Sequence, residues 1–263
     1  MKTIAIINLK GGVGKSITAI HVACELPVQQ PGARVLVVDL DKQANTTKFF
    51  GRLDYALPSA ANLLTGPADG VHSTIRGTDF SGVDLIPANM QLLLANKMVL
   101  MDCTRRQQDR LAKALARVSD DYDYCILDCP PDIDMATINA LCAAEYVIIP
   151  IDCDEWALDG LAQITQQIDT VRGEYNPRLA LLGCLVTKYT RTRYAHDTVA
   201  QLAGTGLPVF SSVVRYTTKI KQAKAAHKPV TRYCPRSPAA LDYIRLTGEI
   251  VQKVSSVDTE RGE

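Results

Sequence analysis

The chain has 263 residues, 47% of them apolar and 22% charged, a length and balance that suit one large folded domain and exclude a disordered or low-complexity chain. The net charge of +1 hides an asymmetry: residues 172–253 hold 14 lysines and arginines against 4 acids, so the remainder carries a net −9. A neutral chain with one basic region points to a polyanionic partner at that region. No window approaches the ~18 uninterrupted apolar residues of a membrane span, and Met1-Lys2 leads into a strand with no secretory leader pattern. The eight cysteines form no C-x-x-C pair and mostly fall in apolar runs, as buried free thiols of a reducing cytosol do.

The first apolar run, 3–8, reads as a strand. Lys10-Gly11-Gly12-Val13-Gly14-Lys15-Ser16 follows it, and a helix over 16–26, stopping at Pro27, follows that. Strand, glycine loop and helix start together wrap backbone N–H groups around a polyphosphate. Gly11, Gly12 and Gly14 let the backbone approach phosphate oxygens. Lys15 reaches the β- and γ-phosphates, and Ser16 offers a hydroxyl to Mg²⁺.

The second strand, 34–39, ends in Asp39-Leu40-Asp41. In extended backbone the two carboxylates point the same way. Asp39 is assigned to the metal shell. Asp41, further into the loop, is assigned to orienting or deprotonating the attacking water.

Strands at 83–87 and 124–128 follow, with a long amphipathic stretch at 90–118 between them that breaks near Asp102. Asp128 closes the 124–128 strand and can hold a Mg²⁺-bound water, while Pro130-Pro131 stiffens the loop behind it. Strands at 146–150, 179–187 and 209–214 alternate with helices at 155–172, stopping at Gly173, and 191–203, stopping at Gly204. The last helix opens at Ser237-Pro238, a hydroxyl cap with proline in the first turn, and presents Leu241, Ile244, Gly248, Val251 and Val254. Strand alternating with helix predicts an α/β fold: a doubly wound, mostly parallel sheet with helices on both faces. The motifs all fall at strand carboxyl ends, where such sheets bind ligands. Residues 1–254 read as one domain, with 255–263 a polar, frayed tail. His21 is expected to pack or hydrogen-bond, Trp156 to pack, and Met98 and Met101 to serve core or dimer contacts.

The loop 10–16, Val38-Asp39-Leu40-Asp41-Lys42-Gln43-Ala44-Asn45, Asp128-Cys129-Pro130-Pro131 and Thr137-Ile138-Asn139-Ala140-Leu141 together resemble the deviant-Walker ATPases of the ParA/Soj branch. The resemblance continues through 176–179 and 182–188 and covers about residues 2–253. It implies ATP and Mg²⁺ as ligands, with Lys10 to Ile17 and Arg215 forming the nucleotide contacts. It also implies a homodimer clamped around ATP, in which Lys10 crosses to the partner's phosphates and acts with Lys15 and Asp41 in catalysis. The dimer would bind DNA without sequence preference, and a ParB-type or other adaptor would stimulate slow hydrolysis. A cytoplasmic, nucleoid-associated protein follows from that cycle. Three positions depart from the family pattern: Ile17 replaces a second hydroxyl, Lys42 replaces a proline, and Val214-Arg215 replaces Pro-Arg.

Lys188, Arg191 and Arg193 form one basic stretch, and Arg215, Lys219, Lys221 and Lys224 open another. Flexible cations without base-reading geometry suit tracking along phosphates, and the family's DNA contacts lie in the corresponding loops. The polar, acidic end of the chain lacks the basic amphipathic helix of a MinD-type membrane switch, so no membrane partner is expected. Positioning of another cargo on the nucleoid shares every motif with DNA partitioning.

Overall fold

The computed structural model describes residues 1–153 and 160–262. The first half contains β1 (Lys2–Ile6), α1 (Lys15–Gln29), β2 (Val35–Asp39), α2 (Asn45–Phe49), α3 (Ala60–Thr65) and α4 (Val71–Thr74). Next come β3 (Arg76–Gly77), β4 (Val83–Ile86), α5 (Gln91–Met101), α6 (Arg110–Leu115) and β5 (Tyr124–Asp128). The second half adds α7 (Met135–Ala143), β6 (Tyr146–Asp152), α8 (Leu161–Glu174), β7 (Ala180–Thr187) and α9 (Arg193–Gly204). It ends with α10 (Thr218–Ala225), α11 (Val230–Tyr233) and α12 (Pro238–Arg261).

The strands form one sheet in the order β3-β4-β2-β5-β1-β6-β7, parallel throughout except for the antiparallel edge strand β3. Side chains alternate across the sheet, so each face has its own core. Ile4 and Ile6 face a core built with Ile20, Tyr243 and Ile250 of α1 and α12. Ala5 and Ile7 face the opposite core, built with Leu92, Leu115, Leu141 and Ile164 of α5 to α8. Burial on both faces explains why these strands read as unbroken apolar runs. The parallel register sets Asp39 level with Asp128, bringing the second and fifth strand ends together at one edge.

Several expectations are corrected. Residues 209–214 do not form a strand. Val209 makes an isolated bridge to Cys184 of β7, and the Ser211 and Ser212 N–H groups then turn away to the Glu249 carboxylate at 2.7 and 2.8 Å. Helix α1 continues through Pro27 to Gln29; in the last turn the proline costs one backbone bond and the Gln30 N–H still reaches Leu26 O. Helix α8 runs through Gly173 to Glu174. Its expected start, at 155, and Trp156 lie outside the described residues. The tail expected to fray is helical to Arg261: Asp258 accepts from Tyr146 and pairs with Lys2 at 2.6 Å.

The buried face of α12 also differs from the expected one. It is Ala239, Tyr243, Leu246, Ile250 and Val254, while Leu241 and Ile244 are exposed. Tyr243 stacks on His21 with ring centroids 4.3 Å apart, which fixes the rotation of the helix. His21 is buried, as expected: Nδ1 contacts Ile17 O at 2.6 Å and Nε2 accepts the Val230 N–H at 2.9 Å. Burial lowers its pKa to about 4. Met98 and Met101 are exposed, so neither belongs to the core.

Candidate nucleotide site

The loop between β1 and α1 is held from below by Asn8. Its amide donates to Pro150 O at 2.7 Å, and its Oδ1 accepts the Lys10 N–H at 2.9 Å. Gly12 and Gly14 take φ of +78° and +96°, a region that costs other L-residues roughly 1–2 kcal/mol. Gly14 in this conformation leads straight into α1, which turns the helix's unpaired N–H groups toward the loop. Val13 is buried, and its carbonyl lies 2.8 Å from the Thr187 hydroxyl at the end of β7. Neither Asn8 nor Thr187 was singled out from sequence. Each looks like ordinary strand material until the sheet order places β6 beside β1 and β7 beyond it.

A cleft of about 320 Å³ opens over the loop, lined by Gly11, Gly12, Gly14, Lys15, Ser16, Ile17, Asp41 and Asn45 among others. Lys15 is buried, with its ammonium donated to Asn8 O at 2.8 Å and Lys10 O at 3.0 Å. Burial lowers its pKa, and Asp128 is the largest opposing influence. Asp41 sits in the cleft wall, and its Oδ1 accepts the Gln43 N–H at 2.9 Å.

Neither Asp39 nor Asp128 lines the cleft, but both oxygens of Asp39 are taken by protein donors, which argues against the metal-shell place expected for it. Asp39 is fully buried, with Oδ2 accepting from the Thr47 N–H and hydroxyl, both at 2.8 Å, and Oδ1 accepting from the Asp41 N–H at 3.1 Å. Its role in this geometry is to hold the loop that carries Asp41. Asp128 is also fully buried. Its Oδ2 accepts from the Thr46 hydroxyl at 2.7 Å, while Oδ1 has no partner among the described residues. Burial pushes both carboxyls upward, and the facing negative charges raise Asp39 further. The Thr46 and Ser16 hydroxyls pull Asp128 back down.

An orphaned buried carboxylate oxygen beside a hydroxyl fits a hydrated Mg²⁺, which takes few protein ligands and keeps its waters. Ser16 and Asp128 would hold it.

A second, more apolar chamber of about 240 Å³ adjoins the cleft, lined by Thr187, Val214, Ile220 and Tyr243 among others. Arg215 borders it, but its guanidinium is committed elsewhere. It grips the buried Asp242 through Nε at 2.8 Å and Nη2 at 2.7 Å. The side chain expected at the nucleotide is thus tied to α12.

The two basic stretches come together. Tyr189 bridges to Arg215, with Tyr189 N–H on Val214 O at 3.0 Å. Within them, Lys188 is paired to Asp152 at 2.5 Å and Arg193 lies 3.9 Å from Asp197. Arg191 borders a surface cavity with Arg245. Lys219 bonds to Gln222 at 3.0 Å. Lys219, Lys221 and Lys224 are all exposed, and Lys221 and Lys224 also border the second chamber.

The chain matches the AAA domain family model over residues 1–181. It is 33% identical over 258 residues to the chromosome partitioning protein ParA of Caulobacter vibrioides, covering 96% of this chain and 95% of that protein. It is 35% identical over 253 residues to the sporulation initiation inhibitor protein Soj of Bacillus subtilis, covering 95% and 98%. The chain belongs to the ParA/Soj family.

A solved structure similar to this ParA/Soj-family chain is the cobyrinic acid a,c-diamide synthase of Mycobacterium smegmatis with bound ATP analogue and magnesium. It superposes with a TM-score of 0.83 at 32% identity, over 97% of this chain and 96% of that one. Family membership and the doubly wound sheet agree with the sequence reading. Among the described residues, no helix is long and apolar enough to cross a membrane.

Proposed function

We propose that this ParA/Soj-family chain is a Mg²⁺-dependent ATPase of the partitioning type, whose ATP-bound homodimer holds DNA without reading sequence. A ParB-type or other adaptor would then stimulate hydrolysis and release. The observation that supports this reading is a cleft lined by a glycine-wrapped loop, Ser16 and Asp41, with Asp128 buried beside Ser16 and one of its oxygens unpartnered among the described residues.

In that cleft the loop N–H groups and the start of α1 would bind the β- and γ-phosphates. Lys15 would leave its carbonyl partners for the phosphate oxygens and neutralise their charge. Held by Ser16 and, through water, Asp128, Mg²⁺ would supply further neutralisation of the β- and γ-oxygens. Asp41 would orient the attacking water and accept its proton. Lys10 would act in trans, so that full phosphate neutralisation requires two subunits and nucleotide state is reported as association.

The DNA surface would comprise Arg191, Arg193, Lys219 and Lys221, with Lys188 contributing once freed from Asp152. A dimer doubles that surface, so DNA retention follows the ATP state. The test is DNA retention with ATP, ADP or no nucleotide. Retention requiring ATP supports the reading, and equal retention in all three conditions contradicts it.

A further inference from the structure

The phosphate cleft and the apolar chamber share four lining residues: Gly12, Gly14, Ile17 and Lys224. A nucleoside polyphosphate placed with its γ-phosphate by Lys15 and its nucleoside in the apolar chamber must pass this junction at its innermost phosphate. The loop glycines offer only backbone there. Ile17 offers no hydrogen bond, and it stands where the family pattern has a hydroxyl. Lys224 is the remaining side chain at the junction, and it is a cation.

Lys224 stands in the last turn of α10, whose Ala223 is buried and whose Ile220 and Lys221, with the capping Thr217, also line the chamber. Its ammonium reaches Asn45 Oδ1 at 3.3 Å across 179 positions of chain, and Asn45 itself lines the phosphate cleft. A neighbouring contact, His227 Nδ1 to Phe49 O at 2.9 Å, fixes the C-terminal end of α10 against α2. The exposed Lys224 side chain therefore borders the cleft from a helix whose end is anchored.

We infer that Lys224 is a nucleotide-binding residue, contacting the phosphate nearest the ribose from within the same subunit and supplying what Ile17 cannot. This rests on the ATPase reading above and adds a ligand contact to it. It also removes Lys224 from the DNA surface. It joins α10, which carries Lys219 and Lys221, directly to the nucleotide.

The test is equilibrium binding of fluorescent ATP and ADP analogues to the full chain, without DNA. Lys224→Ala should weaken both nucleotides by about ten-fold, the loss of one charge-assisted hydrogen bond. Lys224→Arg should stay within about three-fold of the parent. Lys113→Ala, an exposed lysine on α6 paired to Asp109, controls for net charge and should bind normally. Normal ATP and ADP affinity in Lys224→Ala, with affinity lost in Lys15→Ala, overturns the inference and leaves the site standing. A loss confined to ATP also overturns it, because the contact would then be to the terminal phosphate. Absence of binding by the parent chain overturns both readings.

Discussion

The Thr46 hydroxyl donates to Asp128 Oδ2 at 2.7 Å, with both residues fully buried. This bond joins the segment after β2, which carries Asp41, to the end of β5. The neighbouring Thr47 does the same for Asp39 at 2.8 Å. The two acid-bearing strand ends are thus fastened by consecutive threonines of one short helix.

Thr46→Val keeps the shape and removes the donor. The buried carboxylate loses the Thr46 donor, a loss of about 1–3 kcal/mol. Urea unfolding should show a lower midpoint with an unchanged slope. ATP turnover should fall as well, because Asp128 is no longer oriented. Unchanged stability and unchanged turnover together would show that the bond organises nothing.

Asp41→Ala should retain ATP binding and lose turnover by at least roughly 10²-fold, the usual contribution of a positioned base. Fluorescent-nucleotide binding and phosphate release measured on the same preparation separate the two effects. Normal hydrolysis would remove Asp41 from the mechanism.

Arg215→Ala should destabilise the fold and leave ATP affinity within about three-fold, since its guanidinium is committed to Asp242. Asp242 is left buried without its counter-charge, which is the costly way to break such a pair. A large loss of ATP affinity in a chain of parental stability would restore the nucleotide contact that the family resemblance implies.

Much of the fold and site was legible in the sequence, for definable reasons. The strands appeared as apolar runs because the sheet is covered on both faces, and the loop 10–16 announced itself because few backbones other than glycine accept the φ of Gly12 and Gly14. What could not be read was which side chains meet across the sheet. Asp39 and Asp41 share one direction along a strand, but only the packing of α2 shows that Thr47 consumes Asp39 and leaves Asp41 in the cleft. The partners of Arg215 and Lys224 are hidden for a similar reason. Asp242 lies 27 positions beyond Arg215 and Asn45 lies 179 positions before Lys224, so no local pattern reveals either partner. The rotation of α12 was missed because its buried face is partly alanine and threonine, which close packing selects and hydrophobic periodicity does not.

His21 gives the fold a pH dependence. The ring has a native pKa of about 4 against 6.5 for an ordinary histidine, because burial disfavours its charged form. The unfolded chain therefore binds the extra proton first. This contribution to stability is complete above pH 6.5, is lost as pH falls toward 4, and is flat below that. Its full size is about 3 kcal/mol. Asp39 and Asp128, with raised pKa values, act in the opposite sense. The difference in stability between the parent and His21→Phe therefore isolates the ring. It should narrow on acidification through that window, and a pH-independent difference would mean that the ring titrates in the fold as it does in the unfolded chain.

DNA retention should weaken steeply with salt, by a slope of roughly 0.9 per neutralised phosphate in logarithmic terms. Charge reversal at Arg191, Arg193 or Lys219 should lower affinity for all sequences alike. Equal affinity at low and moderate salt would mean that these cations do not track a phosphate backbone.

The most direct test is the solution mass of Asp41→Ala with Mg²⁺ and ATP, measured by light scattering at a protein concentration where the nucleotide-free chain is monomeric. Twice the 28.7 kDa chain mass is expected with ATP, falling to the single-chain mass when Lys10→Ala is added. A single-chain mass at saturating ATP, or a dimer indifferent to Lys10, would contradict two subunits closing around shared triphosphates.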